Sequence, residues 1–377
     1  MRRLKVLQLQ HDYNLKPFDV SDLAEQIVKA FPKTEYQFVS AYLHNRPATG
    51  QSDSQAERSV YFEMPANALR GLRLRLLITL WCFLRQEKFD VIICHRFKPL
   101  SLVMRLARWI GNPLCLCVVH SFSDYRPRSR RRFIRKHVSP RCHFIAVSNA
   151  VKEHLLSLDC GFTNDNTSNI TNAIDVDKIG QLQLSREQAR VELGLERDAL
   201  LVGTIGRLAS VKGHIYLIEA FALLKDRYPS AQLAIIGEGR ERMALEAAIE
   251  RLDLNGRAHL LGEVDGAVKY VKAFDIWTMP SLSEGLGLAL LEGMSAALPC
   301  IASDVPAMRP LLSGAGGLAC QPGDVEELAS ALDSYLSLTP AQRENKGQQT
   351  YQYLCENHAI ETYRTRYRQL VESLHER

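Results

Sequence analysis

The stretch Met279 to Leu298, MPSLSEGLGLALLEGMSAAL, decides how the rest of the chain is read. An apolar, strand-like run delivers the chain to Pro280 and Ser281, a flexible Gly285-Leu286-Gly287 turn follows, and a helix-forming sequence begins at once. The first N–H groups of such a helix have no acceptor within it and point back at the turn, which makes the helix start an anion site. Two carboxylates bracket that start, Glu284 before the glycines and Glu292 about two helical turns in, a separation of roughly 12 Å at the helical rise. That span is too long for a proton-sharing pair. It suits a long ligand with hydroxyls at both ends and phosphates between, which is the shape of a nucleotide sugar.

A second anion-binding loop precedes this one. The apolar strand Leu200 to Ile205 ends in Gly206-Arg207-Leu208-Ala209-Ser210-Val211-Lys212-Gly213, and a helix is expected from His214 to Tyr228. Arg207 and Lys212 share that strand-to-helix loop, where two fixed cations can neutralise a diphosphate. Further strands are expected at Ala231–Ile236, Ala258–Leu261, Phe274–Met279, Cys300–Ser303 and Gly317–Cys320, with Pro322-Gly323-Asp324 capping a helix from Val325 to Leu336. Gly237-Glu238-Gly239 is no dinucleotide fingerprint, because the position for the third glycine holds Arg242.

The first half repeats the strand–helix alternation. Strands are expected at Leu4–Leu9, Tyr36–Ala41, Val91–Cys94, Leu114–Val119 and His143–Val147, with helices at Ser21–Ala30, Leu69–Phe83, Leu100–Trp109 and Val151–Leu158. Ser148 is placed to cap the last of these, and His44 to Ser59 reads as a loop. Asp175-Val176-Asp177 is a D-x-D, which here is better explained as a helix-capping turn than as a metal site. Alternation of this kind implies an α/β fold, and 377 residues are enough for two Rossmann-like domains in tandem.

A composition of 46% hydrophobic and 24% charged residues is that of an ordinary globular protein and argues against disorder. The longest apolar runs, such as Leu76 to Leu84, are too short to span a bilayer, and Met1 to Lys5 leads into a strand pattern, so a cytoplasmic location is expected. Nine cysteines lie in apolar contexts and read best as buried thiols. The charge is uneven: Met1 to Asp175 carries a net +11 and the remainder −6. The first half is therefore suited to an acidic or membrane-surface partner.

The Glu-x7-Glu spacing, the Pro-Ser-x-x-Glu-Gly-x-Gly around it, and the Gly206 to Gly213 loop together resemble the family 4 retaining glycosyltransferases. That resemblance implies a GT-B fold, with two Rossmann-like domains facing across a cleft and a C-terminal helix crossing back. The expected division is 1–178 for the acceptor domain, 179–355 for the nucleotide-sugar domain and 356–377 for the returning helix, whose stripe is Tyr363, Tyr367, Leu370, Val371 and Leu374. Donor binding would involve Gly206, Arg207, Lys212, the backbone at Val264 near the base, Glu284 on the sugar hydroxyls, Gly285, Leu286, Gly287 and Leu288 near sugar and phosphates, and Glu292 on the ribose. His120, at the end of an apolar strand, matches a histidine that contacts the donor sugar near the reacting carbon. The catalytic set so implied is His120, Arg207, Lys212 and Glu284, with no metal or other cofactor. One departure is the segment His11 to Val20, which lacks the pair of glycines usual there.

Arg126, Arg128, Arg130, Arg131, Arg132, Arg135 and Lys136 place seven cations in eleven residues. No RNA-binding signature, zinc finger or recognition-helix pattern accompanies them, so nucleic acid is not expected. Anionic lipid heads or a phosphorylated glycolipid acceptor would use the same charges. The helix from Leu69 sets arginines and a tryptophan beside an apolar stripe, and reads better as a core helix with a snorkelling rim than as a membrane-surface helix. The expected activity is retaining transfer from a nucleotide sugar, with UDP favoured, to a lipid-linked or lipopolysaccharide-core acceptor on the inner membrane face. A soluble transferase making a small glycoside and a non-catalytic nucleotide-sugar-binding subunit remain open.

Overall fold

The computed structural model of the protein describes residues 2–13, 22–47, 54–65 and 74–376. The chain forms two compact units, residues 1–172 together with 360–377, and residues 173–359. The first divide falls close to Asn172-Ala173-Ile174-Asp175, slightly before the 178/179 boundary expected from sequence.

Unit 1 is built on seven strands: β1 (Leu4–Asp12), β2 (Tyr36–His44), β3 (Arg58–Tyr61), β4 (Val91–His95), β5 (Leu114–Val119), β6 (Cys142–Ala146) and β7 (Thr167–Asn169). Their order is β3-β2-β1-β4-β5-β6-β7, and every neighbouring pair is parallel. Continuous apolar strands such as Val91–His95 and Leu114–Val119 are buried along their whole length, as a parallel sheet covered on both faces requires. The helix Ile360–His375 belongs to this unit. Tyr363, Tyr367 and Val371 are buried, the Tyr363 hydroxyl donates to the Leu23 carbonyl, and the Tyr36 hydroxyl donates to Glu372 at 2.8 Å.

Unit 2 carries six strands: β8 (Leu200–Ile205), β9 (Ala231–Ile236), β10 (Ala258–Gly262), β11 (Ile276–Met279), β12 (Cys300–Ser303) and β13 (Leu318–Cys320). The order β10-β9-β8-β11-β12-β13, again parallel throughout, repeats the doubly wound pattern. Strand order reverses at β8/β11 in this unit and at β1/β4 in unit 1. Loops leaving the carboxyl ends of these paired strands depart to opposite sides and open a crevice there.

Several elements differ from the sequence reading. The expected loop from His44 to Ser59 gives way at Arg58 to the edge strand β3, and β7 forms the other edge; both are short and carry polar residues that hide a strand pattern. The basic run contains a helix, Arg128–His137, with only Ile134 buried. An 18-residue helix, Pro340–Asn357, also went unread; it is capped by a Thr339/Gln342 box. Ser21, Leu69 to Arg73, positions 48–53 of the expected loop, and Asn14 to Val20 of the glycine-free segment lie outside the described residues. All nine cysteines are free, with Cys82 and Cys355 exposed and the others buried.

β8 and β11 are tied together at their start by a buried charge. Arg190, with no exposed surface, donates to the carbonyls of Ala273, Arg197 and Ala199 and to Asp275 Oδ2 at 2.8 Å. The same Asp275 oxygen accepts the Leu201 amide at 2.7 Å. Replacing Arg190 by Met strips the buried Ala273 and Ala199 carbonyls of this donor and leaves Asp275 with Arg186 and the Leu201 amide alone, and is expected to cost about 3 kcal/mol, as for other broken buried pairs. Urea unfolding of the variant against the parent measures it.

Candidate active site

The backbones of the loop after β8 and the loop after β11 are held directly against each other. Leu282 N donates to Val211 O at 2.8 Å. Gly213 has φ +67, and a Cβ there would lie 2.0 Å from the Pro280 carbonyl oxygen, so only glycine allows the approach. This juxtaposition brings Lys212 and Glu284, 72 residues apart, into an ion pair with Nζ donating to Oε1 at 2.6 Å. The pair is mostly buried, with side chains 23% and 14% exposed.

Gly287, at φ +102, ends the turn and opens the helix Leu288–Ser295. No side chain caps that helix; the Leu290 and Leu291 N–H groups turn back to the Gly287 carbonyl, which leaves those of Leu288 and Ala289 for a ligand at the same crevice. Arg207 is exposed, and its guanidinium has no hydrogen-bond or ion-pair partner among the described residues. Gly206 is anchored by donation of its N–H to the Ile236 carbonyl at 2.9 Å. Glu292 lies half-buried on the central helix. Val264 lies on the loop after β10, two strands from the crevice.

His214, whose place at the helix start carried no role in the sequence reading, is buried behind this loop, its ring 3.5 Å from where a Gly206 Cβ would stand. Burial, reinforced by the Lys212 charge, pushes it down to about 4, so it is neutral at physiological pH. The D-x-D does what a capping turn does: Asp175 accepts the Lys178 N–H at 3.1 Å at the start of the helix Val176–Leu182. Ser148 and Asp324 likewise cap their helices. Among the described residues, no cluster of three or more His, Cys, Asp or Glu side chains could hold a metal ion.

In unit 1, His120 follows β5, and its backbone N–H donates to Asp124 Oδ2 at 3.2 Å. Burial, with Arg96 acting in the same sense, pushes the ring down to about 4. Its ring nitrogen meets His95 at the end of β4, a residue the sequence reading left without a role. The signal was there: a histidine at the carboxyl end of a parallel strand, the same argument that singled out His120.

The basic run divides in two. Arg130 is used internally, donating to the Asp124 carbonyl at 2.7 Å and lying 5.1 Å over the Phe97 ring. Arg128, Arg131, Arg132 and Arg135 line a hollow of about 160 Å³ with Leu158 and Cys160. Arg126 and Lys136 are exposed.

Comparison with known proteins fixes the family. The Glycosyltransferase Family 4 model matches residues 22–178 and the group 1 glycosyl transferase model matches residues 185–353. An uncharacterized glycosyltransferase of Methanocaldococcus jannaschii is 30% identical over 265 residues, 67% of each chain. The chain belongs to the family 4 glycosyltransferases. This glycosyltransferase is also 28% identical, over 69% of each chain, to an Escherichia coli UDP-Gal:alpha-D-GlcNAc-diphosphoundecaprenol alpha-1,3-galactosyltransferase. It is 30% identical to a lipopolysaccharide core biosynthesis glycosyltransferase of Rhizobium meliloti over a shorter match, 39% of this chain and 43% of that one. Among solved structures, Anabaena HepE in complex with UDP and glucose matches with a TM-score of 0.80 at 18% identity, covering 98% of this chain and all of that one. That likeness is one of fold, and the fold is GT-B.

The neutral histidines set a pH dependence. Unfolded histidines take up protons near 6.5, whereas folded His120 and His214 resist until about 4, and burial holds His95 well below its usual value. As pH falls from 6.5 towards 4 the unfolded state gains protons first, so stability is lost through that window, by about 1.4 kcal/mol per pH unit for each such group. Urea unfolding at pH 7.5, 6 and 5 measures the slope, and His214→Gln is expected to reduce it by one group's share.

Proposed function

We propose that this glycosyltransferase moves a sugar from a UDP-sugar, with retention at the anomeric carbon, to a lipid-linked or lipopolysaccharide-core glycan at the cytoplasmic face of the inner membrane. The observation that carries the donor half is the Lys212–Glu284 pair, set beside unpartnered Arg207 and an uncapped helix start at the β8/β11 crevice. A ligand with both phosphate and hydroxyl groups can satisfy the two members of that pair separately, phosphate taking the ammonium and hydroxyls taking the carboxylate. Glu292 takes the ribose hydroxyls, and the loop bearing Val264 takes the base. UDP is favoured by the UDP-Gal in the name of the E. coli relative and the UDP bound to HepE.

In the transition state negative charge builds on the leaving diphosphate. Arg207, Lys212 and the first-turn N–H groups are in place to stabilise it without reorganising, and we assign them the role that a divalent ion has in metal-dependent transferases. A leaving phosphate oxygen that takes the acceptor's proton on the same face accounts for retention without a protein nucleophile. His120 contacts the donor sugar.

The acceptor half rests on surfaces of unit 1. The helix Leu74–Glu87 buries Leu76, Leu80 and Leu84, as a core helix does, yet leaves Leu74 63% and Ile78 61% exposed. These two line an apolar hollow of about 280 Å³ with Leu77, Trp81, Leu106 and Trp109. Arg105, on the same helix as Leu106, lies 4.9 Å over Phe133 of the basic helix, so the apolar and cationic faces adjoin. An apolar surface bordered by arginines is complementary to an anionic bilayer, which takes the apolar side chains at its interface and the guanidiniums at its headgroups. Among the described residues, no helix is long and apolar enough to cross a membrane.

Incubation with a panel of UDP-, GDP- and ADP-sugars tests the donor reading. A UDP-sugar is expected to be consumed, and Lys212→Ala or Glu292→Ala is expected to lower turnover by about two orders of magnitude or more with the fold intact by circular dichroism. Near-normal turnover in both variants would end the assignment. Sedimentation with phosphatidylglycerol vesicles tests the membrane reading: binding that weakens with salt and with charge removal at Arg128, Arg131 and Arg132 is expected, and salt-insensitive binding counts against it.

A further inference from the structure

Gln8 on β1, His95 at the end of β4 and His120 just beyond β5 come from three neighbouring strands of unit 1. Gln8 Oε1 lies 3.2 Å from His95 Nε2, and His95 Nδ1 lies 3.2 Å from His120 Nε2. The two imidazoles meet edge to edge, with centroids 5.4 Å apart and planes at 27°. Gln8 has no exposed surface, and His95 is buried.

The buried end dictates the polarity of this chain. An amide oxygen only accepts, so His95 must carry its proton on Nε2. A neutral imidazole has one N–H, which leaves Nδ1 of His95 as a lone pair. That lone pair accepts from Nε2–H of His120, and the remaining nitrogen of His120, Nδ1, is then the unprotonated one. Burial keeps both rings uncharged, and Arg96, between β4 and the next helix, opposes protonation of each. Asp124, which accepts the backbone N–H of His120, carries the opposing charge and is itself raised by burial. Lys98, hydrogen-bonded to His11, and Asp12 beside that histidine are further titratable groups at this edge.

Backbone geometry marks the same place. Arg96 has φ 68° and ψ 175°, a region that glycine alone occupies readily, and its N–H is held by the Val118 carbonyl at 3.0 Å. The strain sits at the residue directly after His95, where the chain must leave β4 while His95 stays beside β5.

We propose that Gln8 and His95 are positioning residues for His120, holding it as the Nε2–H tautomer so that Nδ1 presents a lone pair to a hydroxyl of the donor sugar. This rests on the role assigned to His120 above. A charged or freely rotating histidine would offer that hydroxyl either a donor or a poorly placed acceptor. The chain provides one fixed acceptor over the whole range in which the rings stay neutral.

The test uses the full-length protein labelled with 15N-histidine, with His95 and His120 assigned by loss of signal in His95→Phe and His120→Gln. Long-range 1H–15N correlation spectra are expected to show both rings as Nε2–H tautomers, unchanged between pH 6 and 8. An Nδ1–H tautomer at His120 would overturn the proposal, whatever the activity. In turnover assays His95→Phe, which keeps an aromatic ring but no ring nitrogen, and Gln8→Met, which keeps the volume, are expected to lower kcat about 10- to 100-fold with the donor KM within about twofold, the pattern of an interaction felt only in the transition state. Unchanged kcat in both variants overturns the proposal while leaving the role of His120 standing. Full turnover in His120→Gln overturns that role, and the positioning with it.

Discussion

One carboxylate, Asp275, sets the frame on which the candidate site depends. Its Oδ2 accepts both the buried Arg190 guanidinium and the Leu201 amide, so the beginnings of β8 and β11 are fixed side by side although 74 residues separate Leu201 from Asp275. Two parallel strands pinned at one end are in register at the other, where β8 releases Gly206 to Gly213 and β11 releases Pro280 to Gly287. The doubly wound order sends those loops to opposite sides, and the Leu282–Val211 hydrogen bond with the Gly213–Pro280 contact stops them from drifting apart. A buried ion pair adds little net stability compared with an apolar substitute, but it specifies one arrangement, and here the arrangement is what the crevice needs.

The two units carry opposite electrostatic strategies. At the β8/β11 crevice the side chains are charged and matched, Lys212 against Glu284 with Arg207 held in reserve, so a ligand enters by exchanging one set of charge-assisted hydrogen bonds for another. The cost of desolvating the ligand's phosphates is offset by cations already gathered there. At the corresponding edge of unit 1 the titratable rings of His95 and His120 are kept neutral by burial and by Arg96. Charged groups suit the stabilisation of a leaving diphosphate. Neutral, directional ones suit the orientation of hydroxyls, whose hydrogen bonds depend on which nitrogen carries the proton.

What the sequence made legible follows the same physics. β5, β8, β9 and β12 and the helix Val325–Leu336 were found to the residue, because continuous apolar runs between turn formers have few other readings. The edge strands β3 and β7 were not, since Arg58–Tyr61 and Thr167–Asn169 face solvent on one side and need no apolar run. The helix Arg128–His137 escaped because a single buried residue, Ile134, leaves no periodicity to detect. Lys212 and Glu284 were each singled out on local chemistry, yet their contact could not be read, because it depends on strand order. His95 was visible as a strand-end histidine, but its partners Gln8 and His120 come from other strands, and only the sheet brings them together.

The strained backbone at Arg96 indicates which feature of unit 1 is under selection for position and not for packing. If His95 served only to fill space beside β5, an apolar residue would do so without burying two ring nitrogens, and the chain could leave β4 through an unstrained conformation. Instead a non-glycine residue adopts a glycine-like conformation at the carboxyl edge of the sheet, and the ring before it spends both nitrogens on a relay from buried Gln8 to half-buried His120. Strain of this kind persists only where the surrounding structure over-determines it, and it clusters where a side chain must be aimed. Gln8 lies on the strand before the glycine-free segment that departs from the family pattern. A site that lacks those glycines loses close backbone approach to its ligand there, and orientation by side chains such as His120 becomes correspondingly more important.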